Sequence, residues 1–224
     1  MPSERRAQLR GLYAITPEML DTGALRERVS QCLAGGAAIV QYRAKNADDA
    51  LALEQARALA VLCRKAGALF IVNDSIRLAL ASHADGVHVG RDDAGVAEAR
   101  GALPHAIVGA SCYDDPAMAA AAARAGADYV AIGSVFASPS KPQARRAPLE
   151  RIGAAAKASG LPVAAIGGID LSNARLARDA GADMLAVISA VFDAPDVEAA
   201  ARAFANLYDP QDRPLHARTQ PRAV

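Results

Sequence analysis

The chain carries almost no excess charge of either sign. Lys and Arg number 25 against 24 Asp and Glu, so there is no basic surplus for binding nucleic acid irrespective of sequence, and no acidic tail. Cysteines are few. Cys32, Cys63 and Cys112 are odd in number and far apart, which gives neither a disulfide ladder nor the paired spacing of a zinc site and points to a reducing compartment. No stretch approaches the roughly 20 apolar residues of a membrane-spanning helix, and the first ten residues lack the apolar core of a secretion signal. A cytoplasmic protein with small-molecule partners, no nucleic acid and no membrane is expected, with homo-oligomerisation left open. Aromatics amount to 4% with no Trp, yet 52% of the 224 residues are hydrophobic and no tract is of low complexity, which argues against disorder. That length fills one domain and falls short of two.

Eight short aliphatic and β-branched runs recur, at residues 12–16, 38–43, 69–73, 86–90, 107–111, 129–134, 162–167 and 184–189. Between them lie Ala-, Leu- and Arg-rich stretches with helical periodicity, among them 48–66, 115–125, 172–180 and 197–207. Asp21 or Thr22 is suited to cap the first helix and Asp48 another. Gly35-Gly36, Gly67-Ala68, Gly126-Ala127 and Gly181-Ala182 precede strands, where a helix must end on a residue tolerant of positive φ. Eight βα repeats in about 200 residues predict a single α/β domain, a (β/α)8 TIM barrel over residues 1–208, with 209–224 a mobile tail. A doubly wound open sheet is the main rival, weakened because no Gly-x-Gly-x-x-Gly follows the first strand.

In such a barrel, polar residues at the C-terminal strand ends are the candidates for chemistry, while apolar ones further back fill the core. Strand two reads Val40-Gln41-Tyr42-Arg43-Ala44-Lys45, and alternation puts Gln41, Arg43 and Lys45 on one face. A cation on a buried parallel strand needs an anion, either a carboxylate or a bound phosphate. Strand three ends in Asn73-Asp74 and strand four leads into Arg91-Asp92-Asp93, so carboxylates stand at neighbouring strand ends. Asp74 and Asp93 suit Mg2+, which takes one or two carboxylates and completes its shell with water and phosphate oxygens; helix capping is the competing use, preferred for Asp92. Ser138, Ser140 and Lys141 lie in a loop after strand six. Gly167-Gly168 after strand seven and Ile188-Ser189 after strand eight match the place where this fold builds a phosphate cradle from backbone N–H groups. Two anion sites at one mouth suggest two phosphorylated substrates.

At these residues the sequence resembles the thiamine phosphate synthases, from about Leu12 to Leu207. The resemblance is carried by Val-Gln-Tyr-Arg-Ala-Lys, by Val-Asn-Asp, by the strand-four segment from Asp85 to Asp93, and by Gly109-Ala110-Ser111-Cys112-Tyr113. Ile132-Gly133-Ser134-Val135-Phe136, Ala165-Ile166-Gly167-Gly168-Ile169 and Val187-Ile188-Ser189-Ala190 extend it. It implies a Mg2+-assisted transferase that condenses hydroxymethylpyrimidine diphosphate with a thiazole phosphate, yielding thiamine phosphate and pyrophosphate. It also implies that Gln41 contacts the pyrimidine, that Arg43, Lys45, Asn73, Ser111 and Lys141 hold the diphosphate, and that Asp74 and Asp93 bind the metal. Ser138, Ser140, Gly168, Ile188 and Ser189 would surround the thiazole phosphate. His88, on the strand face opposite Val87 and Val89, is as well suited to packing or ordering water as to catalysis, and Cys112 is expected to be a core neighbour of Ser111.

The chain departs from the family pattern at Pro17, where an Asp often follows the Thr, at Arg91 in place of a common Gln, and at Ser138 and Ser140 in place of Thr. Each serine keeps the hydroxyl. The rival readings are a thiazole tautomerase of the same barrel lineage and a non-catalytic barrel that binds thiamine precursors. Joint retention of Arg43, Lys45, Asn73, Asp74, Asp93 and Lys141 disfavours the first, and the absence of an added interaction domain counts against the second.

Overall fold

The computed structural model describes residues 8–90, 95–137 and 145–209. Eight parallel strands close into a barrel in sequence order: β1 (Gly11–Ile15), β2 (Ile39–Tyr42), β3 (Leu69–Asn73), β4 (Gly86–Val89), β5 (Ile107–Tyr113), β6 (Tyr129–Ile132), β7 (Val163–Ile166) and β8 (Met184–Val187). The last strand pairs with the first in the register Gly11 to Met184 and Ala14 to Val187, so no sheet edge is left. Helices α1 (Thr22–Ala34), α2 (Asp49–Ala66), α3 (Ile76–Ser82), α4 (Val96–Ala102), α5 (Pro116–Arg124), α6 (Glu150–Ser159), α7 (Ala174–Asp179), α8 (Ser189–Phe192) and α9 (Val197–Asn206) fall between and after the strands. None of the described helices is long and apolar enough to cross a membrane.

Local chemistry explains the punctuation. Asp21 accepts from the N–H of Ala24 and Asp48 from that of Leu51, each at 2.9 Å, so both start helices as the sequence predicts. Gly67 closes α2 at φ +72°, where its N–H reaches the carbonyls of Cys63 and Arg64, and the chain turns directly into β3. Predicted and observed strands differ most at the C-terminal ends. β6 stops at Ile132 and β8 at Val187, each two residues early, while β5 runs on to Tyr113 through a register shift after Ser111. Past Ile132 the backbone leaves the ladder, because the N–H groups of Val135 and Phe136 turn to the carbonyls of Ile166 and Gly167. The predicted tail lies outside the described residues from 210 onward.

Period-two alternation splits the buried residues into two layers. Outward-facing Leu12, Val40, Phe70, Val87, Val108, Val130 and Leu185 pack beneath the helices. Inward-facing Tyr13, Ile39, Ile71, Ile107, Tyr129, Ala164, Met184 and Ala186 fill the barrel. Two of the five tyrosines therefore lie in the lumen, and glycine makes room for one of them. A Cβ on Gly109 would fall 2.0 Å from Cζ of Tyr129.

The opposite end of the barrel is fastened by a recurring device. Asp85, Asp128 and Asp183 each follow an alanine and immediately precede β4, β6 and β8. Their carboxylates accept from the N–H groups of Phe70, Val108 and Val163 on the preceding strand at 2.9 to 3.1 Å. Their own N–H groups donate to the carbonyls of the same three residues. Each aspartate thus clasps its neighbour by both backbone and side chain.

Candidate active site

Moving up the inward faces towards the C-terminal strand ends, the aliphatic filling gives way to polar groups. Gln41 stands above Ile39, Asn73 above Ile71, Ser111 beyond Gly109, and His88 on β4, while Arg43 and Lys45 lie just past the end of β2. The loop after β1 supplies a partner that sequence spacing did not reveal. Glu18 accepts from the N–H of Lys45 at 2.9 Å and lies 3.4 Å from the Arg43 guanidinium, with both side chains partly exposed. Thr16 Oγ1 accepts from the N–H of Arg43 at 3.0 Å. The carboxylate therefore does less as an ion pair, an exposed contact worth about 0–1 kcal/mol, than as a brace that shapes the β2 loop. Pro17 carries no acid, and Glu18 brings a carboxylate one residue later. The Lys45 side chain is exposed and its ammonium has no carboxylate within ion-pair distance among the described residues.

At the end of β3, Asp74 adopts φ +63°, a left-handed conformation that aspartate tolerates better than most residues. Its N–H donates to the His88 carbonyl at 2.8 Å, tying the ends of β3 and β4 together, and the Asn73 amide donates to its carboxylate at 2.5 Å. Asp74 does not cap the following helix, because Ser75 does, accepting from Leu78 at 3.1 Å. The carboxylate is thus spared the structural task that competed with metal binding. Among the described residues no group of three or more His, Cys, Asp and Glu gathers to hold a metal. One oriented carboxylate is nevertheless the donor set that Mg2+ accepts when phosphate oxygens and water complete its shell. Asp93, with Arg91 and Asp92, lies outside the described residues.

Across the lumen runs an unbroken line of side-chain hydrogen bonds. Gln41 Nε2 donates to the Tyr13 hydroxyl at 2.7 Å, the Tyr13 and Tyr129 hydroxyls are 2.6 Å apart, and Tyr129 lies 2.9 Å from His88 Nδ1. His88 Nε2 then meets Ser111 Oγ at 2.9 Å. The His88 ring stacks on Tyr129, with centroids 5.5 Å apart. Burial pushes both phenols above their ordinary range, so both remain protonated. Neither tyrosine stood out in the sequence, where each reads as one more apolar strand residue.

On the far side of the mouth, Gly167 and Gly168 have φ of +102° and +62°. A Cβ on Gly168 would lie 2.1 Å from the Ala137 carbonyl oxygen, so close approach of the β6 loop itself requires glycine. The N–H groups of Gly168, Ser189 and Ala190 donate to no other described residue, and Ser189 opens the short helix α8 next to Ile188. Of the loop residues Ser138, Ser140 and Lys141 nothing is described, since 138–144 lie outside the described residues. Cys112 faces away from the lumen, buried, and burial raises its thiol to about 12. A cavity of about 480 Å3 bordered by Arg10, Gly36, Gly67 and Tyr208 lies at the N-terminal end of the barrel and shares none of these residues.

The fold and this rim can be set beside known proteins. The family model described as thiamine monophosphate synthase matches residues 12–191. A thiamine-phosphate synthase of Aromatoleum aromaticum is 53% identical over 210 residues, covering 93% of this chain and 100% of that protein. Another from Thiobacillus denitrificans is 53% identical over 199 residues, covering 88% of this chain and 94% of its own. The solved thiamine phosphate pyrophosphorylase from Pyrococcus furiosus superposes with a TM-score of 0.82 at 38% identity, over 91% of this chain and 96% of that one. A 3-hexulose-6-phosphate synthase, at 18% identity and a TM-score of 0.67, shares the barrel alone. The chain belongs to the thiamine-phosphate synthase family.

Proposed function

We propose that this transferase binds hydroxymethylpyrimidine diphosphate against β2 to β5 and a thiazole phosphate against β7 and β8. Joined there, the two rings give thiamine phosphate, and pyrophosphate leaves. Arg43, Lys45, Asn73, Ser111 and Lys141 take the diphosphate, Gln41 the pyrimidine ring, and Ser138, Ser140, Gly168, Ile188 and Ser189 the thiazole phosphate. Asp74 and Asp93 would hold Mg2+, which supplies positive charge to the departing diphosphate.

The reaction breaks the bond between the methylene carbon and the diphosphate oxygen and forms one from that carbon to the thiazole nitrogen. Arg43, Lys45 and Lys141 stabilise negative charge as the first bond lengthens, and the electron-rich aminopyrimidine shares the positive charge left on its methylene. No covalent nucleophile is required, in keeping with a Cys112 thiol buried behind the strands. Anchoring the second substrate by its phosphate fixes the nitrogen in line with the methylene carbon, which supplies the orientation that a bimolecular encounter lacks. The observation that carries this reading is the division of the mouth, with cations and an oriented carboxylate on one side and undonated backbone N–H groups on the other. A thiazole tautomerase, which binds a single phosphorylated thiazole, has no use for both halves.

Incubation with both substrates and Mg2+ should release thiamine phosphate and pyrophosphate in equal amounts. Full activity in excess chelator would remove the role given to Asp74 and Asp93, and failure to form thiamine phosphate at all would refute the assignment.

A further inference from the structure

The side chains that cross the lumen form one unbranched series, Gln41, Tyr13, Tyr129, His88 and Ser111, joined by four hydrogen bonds. We infer that the Tyr13–Tyr129 hydroxyl pair sets the direction of this series. It holds the His88 proton on Nε2, turns the Ser111 hydroxyl into a donor toward the mouth, and leaves Gln41 Oε1 there as an acceptor.

Tyr13 accepts from the Gln41 amide, so its single proton must go elsewhere, and the neighbour placed to take it is the Tyr129 oxygen at 2.6 Å. Tyr129, having accepted, gives its own proton to His88 Nδ1. A nitrogen that accepts carries no proton, so the imidazole N–H sits on Nε2 and donates to Ser111 Oγ. The Ser111 proton then has no place within the series. Were Tyr129 to donate back to Tyr13, the Tyr13 proton would be stranded in a lumen where both phenols are wholly buried. Full reversal requires the Gln41 amide to turn over, and it would present the Ser111 oxygen lone pairs to whatever enters the mouth. Burial favours the neutral form of both phenols, which keeps one proton on each oxygen and so keeps the count intact.

The outcome at both ends suits one ligand, and here the inference rests on the proposed function. A hydroxyl donor fits a phosphate oxygen. Gln41 Oε1 makes no hydrogen bond to a described residue and is not sealed from solvent, so it is open to accept from an exocyclic amino group. A pyrimidine with a carbonyl in that place would set acceptor against acceptor. Tyr13 and Tyr129, neither of which touches the ligand in this scheme, would thus act as positioning residues that make the site selective for the amino form.

The test is nitrogen NMR of the full chain with 15N-labelled histidine, without substrate. The chain has four histidines, and the His88 signals are those missing from His88→Gln. Wild type should show His88 with Nδ1 bare and Nε2 protonated; a proton on Nδ1 would overturn the inference. Tyr129→Phe, which keeps the ring and removes the hydroxyl, should lose that signature towards an average of the two tautomers, and an unchanged signature would also overturn it. Should Tyr129→Phe not fold, the wild-type tautomer decides by itself; Tyr13→Phe, which leaves His88 Nδ1 as the one neighbour able to take the Tyr129 proton, should keep the signature. With substrates, the preference in kcat/KM for the amino over the carbonyl pyrimidine, expected to exceed about tenfold in wild type, should fall towards unity in Tyr129→Phe; a preference left intact would refute the selectivity. Because the NMR measurements need no substrate, they stand or fall separately from the proposed reaction.

Discussion

Gly109→Ala adds one methyl group, and the structure states where it goes. The new Cβ would sit 2.0 Å from Cζ and 2.3 Å from the hydroxyl oxygen of Tyr129, a ring with no exposed surface and both of its hydroxyl partners within 2.9 Å. Gly109 has no positive φ, so alanine brings no backbone strain there. In open space it would stabilise the chain by about 0.4–1 kcal/mol through the unfolded state. The clash decides the sign instead. Overpacking a filled core costs about 1–3 kcal/mol, and stranding a buried hydroxyl as the ring moves costs about 1–3 more. At about 2–4 °C per kcal/mol for a chain of this size, the melting temperature should drop by roughly 5–20 °C. Differential scanning calorimetry of four proteins tests the reasoning: wild type, Gly109→Ala, Tyr129→Leu and the double variant. Leucine ends short of the clashing atoms, so Gly109→Ala should cost almost nothing in that background, giving a coupling of about 2 kcal/mol or more. A Gly109→Ala protein melting within about 2 °C of wild type, or a penalty that persists in the Tyr129→Leu background, would refute the account.

Two further outcomes follow from the site and the core. Arg43→Ala and Lys45→Ala should each lower turnover more than about tenfold, by analogy with other lost electrostatic contacts to a developing charge, while Cys112→Ala, measured in the same steady-state assay, stays close to wild type. Equal losses in a folded Cys112 variant would contradict the placement of that thiol behind the strands. Burial raises the Cys32, Cys63 and Cys112 thiols from 9.0 to about 12 and the Tyr42 phenol from 10.0 to about 12, so between these values the folded chain holds protons that the unfolded chain releases. The stability they confer is complete below about pH 9 and is lost as pH climbs towards 12. Urea midpoints measured between about pH 8 and 11 should therefore fall with pH, and a rising midpoint would show that these groups do not govern the alkaline limb.

The barrel was legible because eight aliphatic runs, glycines at their entrances and helical stretches between them repeat with one rhythm. Its rim was less so. Residues 133–134 and 188–189 continue the alternation of the strands before them, yet the chain leaves the ladder there, since the β6 loop bonds to Ile166 and Gly167 instead. Alternation put Gln41, Arg43 and Lys45 on one face, of which the strand itself carries only Gln41, in the lumen on Tyr13, and it put His88 opposite Val87 and Val89, as the structure has it. Glu18 escaped notice because its partners Arg43 and Lys45 lie on another loop, 25 and 27 residues along the chain, brought near only by the pairing of β1 with β2. Tyr13 and Tyr129 are 116 residues apart and meet across the lumen, a relation that no local period encodes. The Ala-Asp pairs before β4, β6 and β8 were readable as a repeat, but their use in clasping the preceding strand is visible only in three dimensions.

Those three aspartates separate two responsibilities along every second strand. Each strand is anchored at its beginning by the carboxylate just before it and carries candidate site residues at its far end, so the residues that keep the barrel shut are separate from those proposed to do chemistry. The arrangement lets the rim vary, through exchange of a loop or a side chain, without loosening closure. Replacing Asp85, Asp128 or Asp183 would instead weaken the whole cylinder while leaving every side chain of the candidate site in place.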